Sequence, residues 1–357
     1  MYLSELRIQN LRVFSDLATE LSPGWNAFVG ANGSGKTSLL EAAFLLSHGH
    51  SFRRGQRDVL SRIDSPGYAV FGKLVRANGM ERRLGLSRTG GRVEARVDGA
   101  AVGLGALVES CAIVCFEPGS HELITGSADE RRRFLDWGVF HVEPDFLRQW
   151  RRYQRALRQR NLALRDGAGN DLLEPWEVEL AQSGTSLAAM RQSYAERLAP
   201  ILIELLGTFL SELGLGAFSL NRGWKDGMDL TEALVDGRAR DRERGHTGRG
   251  PHRADWLVSF DSAPRREHLS RGQEKLCALA LVLAQARLYA EHAGEWPVLC
   301  FDDLASELDQ AHQTLVVDVA SASRAQVLVT GTELPMALGT LSQPLRLFHV
   351  EQGRINA

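Results

Sequence analysis

The sequence predicts an α/β fold in two parts: a mixed sheet with helices built from both ends of the chain, and a mainly helical second lobe inserted between them. Three observations carry this expectation. A strand, a glycine-rich turn and a helix follow one another at residues 25–46. A short apolar strand ending in two aspartates stands far away, at residues 297–303. Between them, residues 129–215 show helical spacing almost throughout. At 357 residues the chain suits two lobes better than one small core.

Residues 1–117 read as the first half of the α/β lobe. Leu6, Ile8 and Val13 fall in an opening hairpin or strand pair. Trp25–Val29 reads as a strand and Ser38–Leu46 as a helix. The link between them is Gly30-Ala31-Asn32-Gly33-Ser34-Gly35-Lys36-Thr37, a complete phosphate-binding P-loop by its spacing. Glycines let the backbone turn tightly and bring its N–H groups onto phosphate oxygens. The helix N-terminus then points its dipole at the anion. Lys36 is expected to reach the β- and γ-phosphates, with the Thr37 hydroxyl on Mg²⁺. Gly30 through Ser38 are therefore the candidate nucleotide-binding residues. Further on, Tyr68–Arg76, Glu81–Arg88 and Gly91–Val97 read as strands broken by the turn dipeptides Asn78-Gly79 and Gly90-Gly91.

Residues 118–250 read as the helical lobe. Trp150, Tyr153 and Leu157 give one apolar face, and Ser183–Leu213 is a long amphipathic stretch that Pro200 breaks or restarts. The Gly-, Arg- and Asp-rich stretch at 226–252 reads as a mobile loop. Residues 251–357 return to the α/β lobe with strands at Trp256–Asp261, Pro297–Phe301, Gln326–Thr330 and Leu345–Val350, and a long apolar helix at Gln273–Tyr289.

The strand ending in Asp302-Asp303 has the Walker B form. Asp302 is expected on Mg²⁺ beside Thr37, although it lies 302 − 36 = 266 residues after Lys36. The insertion follows from that separation. Asp303 stands where a carboxylate polarises the attacking water. Two readings of it stay open, a catalytic base and a residue that supports the metal from behind its direct ligands. Leu269-Ser270-Arg271-Gly272-Gln273 is similar to the ABC-ATPase signature, with arginine at its third position. Ser270, Gly272 and Gln273 would contact the γ-phosphate held by a second copy of the chain. Ser270 with Gln273 also reads as a helix capping box, and both roles are compatible. Ser306-Glu307-Leu308-Asp309 looks like the D-loop of such an ATPase dimer. The expected ligands are ATP and Mg²⁺, the expected state an ATP-dependent homodimer. Asp303, one methylene shorter than glutamate, predicts slow turnover.

Composition narrows the setting. The apolar fraction of 44% is ordinary for a globular chain, and no apolar run approaches a bilayer span. The opening residues lack signal-peptide form, and Cys111, Cys115, Cys277 and Cys300 sit in apolar segments, so buried thiols in the cytoplasm are expected. Net charge is −2, yet only Lys36, Lys73, Lys225 and Lys275 of the 42 basic residues are lysine. Ten arginines lie between 131 and 165 against three carboxylates. Arg148, Arg151, Arg155 and Arg158 share one helix face. They form either a DNA-backbone contact or a solvated face in an arginine-rich composition. A second run, Arg238, Arg240, Arg242, Arg244, Arg249 and Arg253, reads as a phosphate-contacting loop.

The order of motifs resembles the RecF family of bacterial recombination and gap-repair proteins over nearly the whole chain. The resemblance rests on Leu6–Arg12, the P-loop, Ser51-Phe52-Arg53, the run Pro118–Asp136, Gly250-Pro251-His252-Arg253 and Phe301–Asp309. Gly119, Ala128 and Ala254 depart from the family pattern. The resemblance implies an ABC-type head and ATP-dependent dimerisation on single- and double-stranded DNA and their junctions. It also implies weak DNA-stimulated ATPase activity. Work with RecR and RecO to load RecA at single-strand gaps, and a part in replication restart and SOS induction, belong to the same implication. An ATPase subunit of a membrane transporter and an SMC-like structural DNA tether remain the alternatives.

Overall fold

A computed structural model describes residues 1–53 and 60–356. The chain divides into two compact units, Met1–Ser120 with Ala278–Ala357, and His121–Cys277. In chain order, the first unit begins with β1 (Tyr2–Leu11), β2 (Phe14–Glu20), β3 (Trp25–Val29) and α1 (Lys36–His48). β4 (Gly67–Val75), β5 (Glu81–Thr89), β6 (Arg92–Val97), β7 (Ala100–Val102), α2 (Leu104–Ser110) and β8 (Ile113–Phe116) follow. The second unit holds α3 (Glu122–Thr125), α4 (Ala128–Val142), α5 (Phe146–Arg165), α6 (Asn170–Phe209), β9 (Gly216–Asn221), α7 (Leu230–Arg244) and β10 (Asp255–Phe260). Helix α8 (Arg271–Ala293) carries the chain back to the first unit. There β11 (Val298–Phe301), α9 (Leu304–Glu307), α10 (Gln310–Ser323), β12 (Val327–Gly331), β13 (Leu345–Glu351) and β14 (Arg354–Asn356) complete it.

The expected mixed sheet is two six-stranded sheets. One is antiparallel throughout, in the order β2-β1-β4-β5-β6-β7. The other runs β14-β13-β3-β12-β11-β8, parallel except for β14. Strands β3, β11 and β12 are buried along their whole length, which is why they are mostly apolar without alternation, with Asn26 and Thr330 the polar exceptions. Helix α1 packs on strands of both sheets. Leu39, Leu40, Ala42, Ala43, Leu45 and Leu46 are all buried, so apolar residues surround its axis instead of marking one face. All four cysteines are free thiols; burial pushes Cys111 up to about 12.

The second unit departs from expectation in four places. The chain rejoins the first unit at Ala278 rather than 251, because β10 pairs along its length with β9. Helix α6 runs through Pro200 without stopping; Leu198, Ile201, Leu202 and Leu205 bury its flanks and outweigh the lost hydrogen bond. The stretch at 226–252, expected as a mobile loop, contains α7, capped by the Asp229 side chain at Thr231 N and ended by Gly245 in the left-handed region. Three of its arginines serve the fold: Arg238 binds Glu177, Arg242 donates to the Ala168 carbonyl, and Arg249 pairs with Asp236, whereas Arg240 and Arg244 are exposed. On α5, Tyr153 and Leu157 are buried as expected, whereas Trp150 is 37% exposed.

Arg160 on α5 is fully buried and binds Glu177 at 3.0 Å, Asp241 at 2.7 Å and Thr247 Oγ1 at 2.8 Å. Those partners come from α6, α7 and the loop after it. Arg191 similarly joins Asp136 to the Pro251 carbonyl, and Arg131 grips Asp255 with two hydrogen bonds. The Gly-Pro-His-Arg stretch is pinned from inside. Tyr153 Oη lies 2.6 Å from His252 Nδ1, and His252 Nε2 is 2.9 Å from the Thr247 carbonyl. A carbonyl only accepts, so Nε2 carries the proton and Nδ1 accepts from the tyrosine. Gly250 fits because a Cβ there would stand 2.5 Å from that hydroxyl.

Two outcomes follow from this packing. Arg160→Ala leaves buried Asp241 without its ion-pair partner and Glu177 with Arg238 alone, and is expected to destabilise the chain by about 3–5 kcal/mol in urea unfolding; a loss below about 1 kcal/mol would contradict the buried network. Burial pushes His252 down to about 4. Between that value and its unfolded value near 6.5 the unfolded chain holds the extra proton. Stability is thus full above about pH 6.5 and falls as pH drops toward about 4, by at most about 1.4 kcal/mol per unit. His252→Gln is expected to flatten that pH dependence, and an unchanged slope would refute the assignment.

Candidate functional site

Strand order builds the site. β3 lies between β13 and β12, and β12 lies beside β11, so the C-terminal ends of β3, β12 and β11 stand in a row. Val29 is level with Gly331, and Gly30 N donates to the Gly331 carbonyl at 3.3 Å. The P-loop leaves β3 at this point. A Cβ on Gly30 would sit 2.2 Å from the Val350 carbonyl, and one on Gly35 would sit 2.8 Å from Val13 and 2.9 Å from Phe14. Gly33 and Gly35 have φ of +80° and +116°. The motif's glycines are therefore required by crowding on two sides and by left-handed backbone. Gly353 N, in the β13–β14 turn, donates to the Ser34 carbonyl at 3.0 Å and braces the loop from behind.

Lys36 is 8% exposed and its ammonium donates to the carbonyls of Gly30 at 2.7 Å and Ala31 at 2.9 Å. Burial lowers its pKa, while Asp303 and Asp302 act in the opposite direction. Thr37 Oγ1 donates to Asp302 Oδ1 at 2.9 Å, and Thr330 Oγ1 donates to the same oxygen at 2.6 Å. Asp302 is 2% exposed, and burial raises its carboxyl above the usual value despite both hydroxyls. A buried carboxylate beside a hydroxyl is a hard-oxygen donor pair, and it fits Mg²⁺. Asp303 adopts φ 54° and ψ 41°, in the left-handed region that few residues other than glycine accept. Its N–H donates to Thr330 Oγ1 at 2.9 Å. Among the described residues, Asp303 Oδ1 and Ser34 Oγ are buried with no hydrogen-bond partner. Of the two, Asp303 lines the cleft and is available to a ligand or a water there.

That cleft has a volume of about 410 Å³. It gathers Asn32, Gly33, Gly35, Lys36, Thr37, Ser38, Asp302 and Asp303, residues separated by most of the chain. Gly30, Ala31 and Ser34 hold the loop's shape at its back. Six further residues line it that motif reading did not place there: Arg12, Val13, Arg53, Ser61, Ile63 and Thr330. Thr330 could have been found from the apolar run before it, since a polar residue closing a buried parallel strand marks the same sheet end as Asp302.

Ser270, Gly272 and Gln273 belong to the second unit. Ser270 N donates to Gln273 Oε1 at 2.9 Å and Gln273 N donates to Ser270 Oγ at 3.4 Å, a reciprocal capping box at the start of α8. Ser270, Arg271 and Gly272 remain exposed. Arg148, Arg151, Arg155 and Arg158 are exposed along one side of α5, with Arg148 tied to Asp145. Ala254, a departure from the family pattern, accepts from Arg132 through its carbonyl, which any residue there would supply.

The chain can now be set beside known proteins. The family model for the RecF/RecN/SMC N terminal domain matches residues 2–356. The DNA replication and repair protein RecF of Xanthomonas euvesicatoria pv. vesicatoria (strain 85-10) is 47% identical, covering 99% of this chain and 98% of that protein. The corresponding protein of Stenotrophomonas maltophilia (strain R551-3) is 46% identical over the full length of both. The solved structure of the recombination mediator protein RecF-ATP in the RecFOR pathway superposes with a TM-score of 0.89 at 26% identity, covering 99% of this chain and 97% of that one. An Smc head bound to the C-winged helix domain of ScpA shares the fold at a TM-score of 0.61 and 15% identity, covering 100% of this chain and 96% of that one. This chain belongs to the RecF family of DNA replication and repair proteins, within the wider RecF/RecN/SMC group.

Proposed function

We propose that the chain is an ATP-dependent DNA-binding clamp of recombinational repair, acting at single-strand gaps and junctions of single- and double-stranded DNA. The observation that carries the proposal is the convergence of Lys36, Thr37, Asp302 and Asp303 in one cleft, from both ends of the chain. ATP is the expected nucleotide, as in the RecF-ATP structure. Thr37 and Asp302 would hold Mg²⁺, which would neutralise charge between the β- and γ-phosphates. Lys36 and the α1 N-terminus stabilise the anion, and Asp303 orients and polarises the attacking water. The strained Asp303 backbone and its short side chain support slow hydrolysis, stimulated by DNA, in which ATP acts mainly as a switch.

The exposed Ser270-Arg271-Gly272 turn supports an ATP-dependent homodimer, each copy offering that turn to the other's γ-phosphate. Membership of the RecF family, and the RecFOR pathway named for the solved relative, support RecR and RecO as partners and RecA as the recipient, in the cytoplasm. Full-length kinship favours this reading over a transporter subunit or a structural tether. Among the described residues no helix is long and apolar enough to cross a membrane.

DNA binding and oligomeric state measured with ATP, with ADP and without nucleotide test the proposal directly. Tight binding and dimers are expected only with ATP; equal behaviour in all three conditions would overturn it. Asp303→Asn is expected to bind ATP and dimerise while losing hydrolysis, and wild-type turnover would leave Asp303 as a residue that merely supports the metal. Replacing Arg148, Arg151, Arg155 and Arg158 with alanine is expected to flatten the salt dependence of DNA affinity, by up to roughly 0.9 in log–log slope for each arginine on a phosphate. An unchanged slope would remove α5 from the interface.

A further inference from the structure

Asp302 and Asp303 line the cleft from adjacent positions, but their own strand ends before it reaches them. β11 stops at Phe301, and so does its pairing with β8 and β12. Asp302 N still donates to the Phe116 carbonyl of β8 at 2.8 Å, which holds the backbone from one side. The other side is held by a single side chain of β12.

β12 outruns β11 by two residues, since Val329 is level with Phe301 while Thr330 and Gly331 follow. Thr330 is level with Phe28 on β3, so it stays in regular strand where β11 has already ended. It is 1% exposed, and its branched side chain is stiff at χ1. The hydroxyl has one proton to donate and lone pairs to accept with. Asp303 N–H can only donate, and it stands 2.9 Å from Thr330 Oγ1, so it takes a lone pair. The proton is left for Asp302 Oδ1, at 2.6 Å. One hydroxyl therefore grips the side chain of the first aspartate and the backbone of the second. The second grip matters because Asp303 stands at φ 54° and ψ 41° without the freedom of a glycine. From that backbone α9 begins, with Ser306 N and Glu307 N donating to the Asp303 carbonyl at 2.9 and 3.2 Å.

We propose that Thr330 is a positioning residue of the hydrolytic site, acting through Asp302 and Asp303 rather than on the nucleotide. Its donated bond fixes the orientation of the carboxylate expected on Mg²⁺. Its accepted bond fixes the left-handed backbone from which the Asp303 side chain enters the cleft. The carboxylate for the metal and the carboxylate for the attacking water are thereby locked to each other at a fixed spacing. The proposal rests on the nucleotide and metal reading above. It differs from a packing role, because valine has the shape of threonine and would fill the strand end equally well.

The test uses two near-isosteric pairs at position 330 of the full-length protein, threonine with valine and serine with alanine, each differing by the hydroxyl. Mn²⁺ is the metal probe. Three quantities are read: affinity for a fluorescent ATP analogue in EDTA, the Mn²⁺ concentration that half-saturates the nucleotide-bound protein, and the single-turnover rate of ATP hydrolysis. Thr330→Val and Thr330→Ala are expected to raise the Mn²⁺ requirement and slow hydrolysis, each about tenfold, because a hydrogen bond to a charged group is lost. Their nucleotide affinity in EDTA is expected to stay within about twofold of wild type, which also reports an intact fold. Thr330→Ser is expected to stay within about threefold of wild type in all three quantities. The serine and alanine pair carries the comparison where the valine variant folds poorly. Wild-type metal requirement and turnover in the valine and alanine variants would overturn the proposal. Equal impairment of serine and alanine would also overturn it, since the methyl group would then be the cause. Loss of nucleotide affinity in EDTA would overturn it as well, making Thr330 a support of the P-loop. A wild-type protein that binds no ATP analogue, or that gains nothing from Mn²⁺, would instead sink the nucleotide and metal reading on which the proposal rests.

Discussion

The hydrogen bond from Thr37 to Asp302 spans 265 positions of sequence, and the head is arranged around making it possible. Neither residue lies in its own strand's hydrogen-bonded ladder; each follows a strand end. They meet because β12 stands between β3 and β11 and brings all three ends level. Thr330, at the end of that intervening strand, donates to the same Asp302 oxygen and accepts from the Asp303 backbone. The middle strand thereby acts as a ruler between the two halves of the motif. Losing its register by one residue would exchange every inward and outward side chain and remove the hydroxyl from the site.

The second unit solves a different problem with a different material. Its helices bury arginines rather than adding apolar volume. Arg160, Arg191 and Arg131 each tie together segments far apart in sequence, Arg160 by joining two carboxylates and the other two through two-pronged carboxylate contacts. Buried ion pairs of this kind contribute little net stability but penalise alternative packings heavily, since any slip strands a charge. A long helix such as α6, with Gly184 against Tyr153 and Leu230, could otherwise slide by a turn against its neighbours. We read the arginine pairs as the register marks of this unit.

Much of the head was legible because its motifs are local. The P-loop, the Asp302-Asp303 pair and the Ser270–Gln273 capping box are each set by a few adjacent residues. The strands at 67–75, 81–89 and 92–97 announced themselves through alternation and turn dipeptides. Two kinds of feature stayed hidden. The stretch at 226–252 has the composition of a loop, and burial of Leu230, Ala233 and Leu234 together with Arg238 and Arg242 finding acceptors on α6 and the loop before it makes α7 worthwhile. The cleft wall of Arg12, Val13 and Ile63 combines a hairpin turn with a segment about fifty residues on, and no single stretch of sequence carries its pattern. Pro200 misled in the same way: the local rule was correct, but burial of the leucines on either side of it stabilises the helix by more than the proline costs.

Strand β3 lies at the centre of the parallel sheet, with β13 along one edge and β12 along the other. Both neighbours come from the last part of the chain, at residues 327–351. On the ribosome, β3 therefore emerges early, apolar but for Asn26, and waits with both backbone edges unpaired until synthesis is almost finished. For that interval it is a ready template for pairing with another nascent chain. The split arrangement that places Asp302 beside Thr37 thus ties the birth of the protein to a guardian: the head calls for a chaperone, or for quick completion, long before it has any nucleotide to hold.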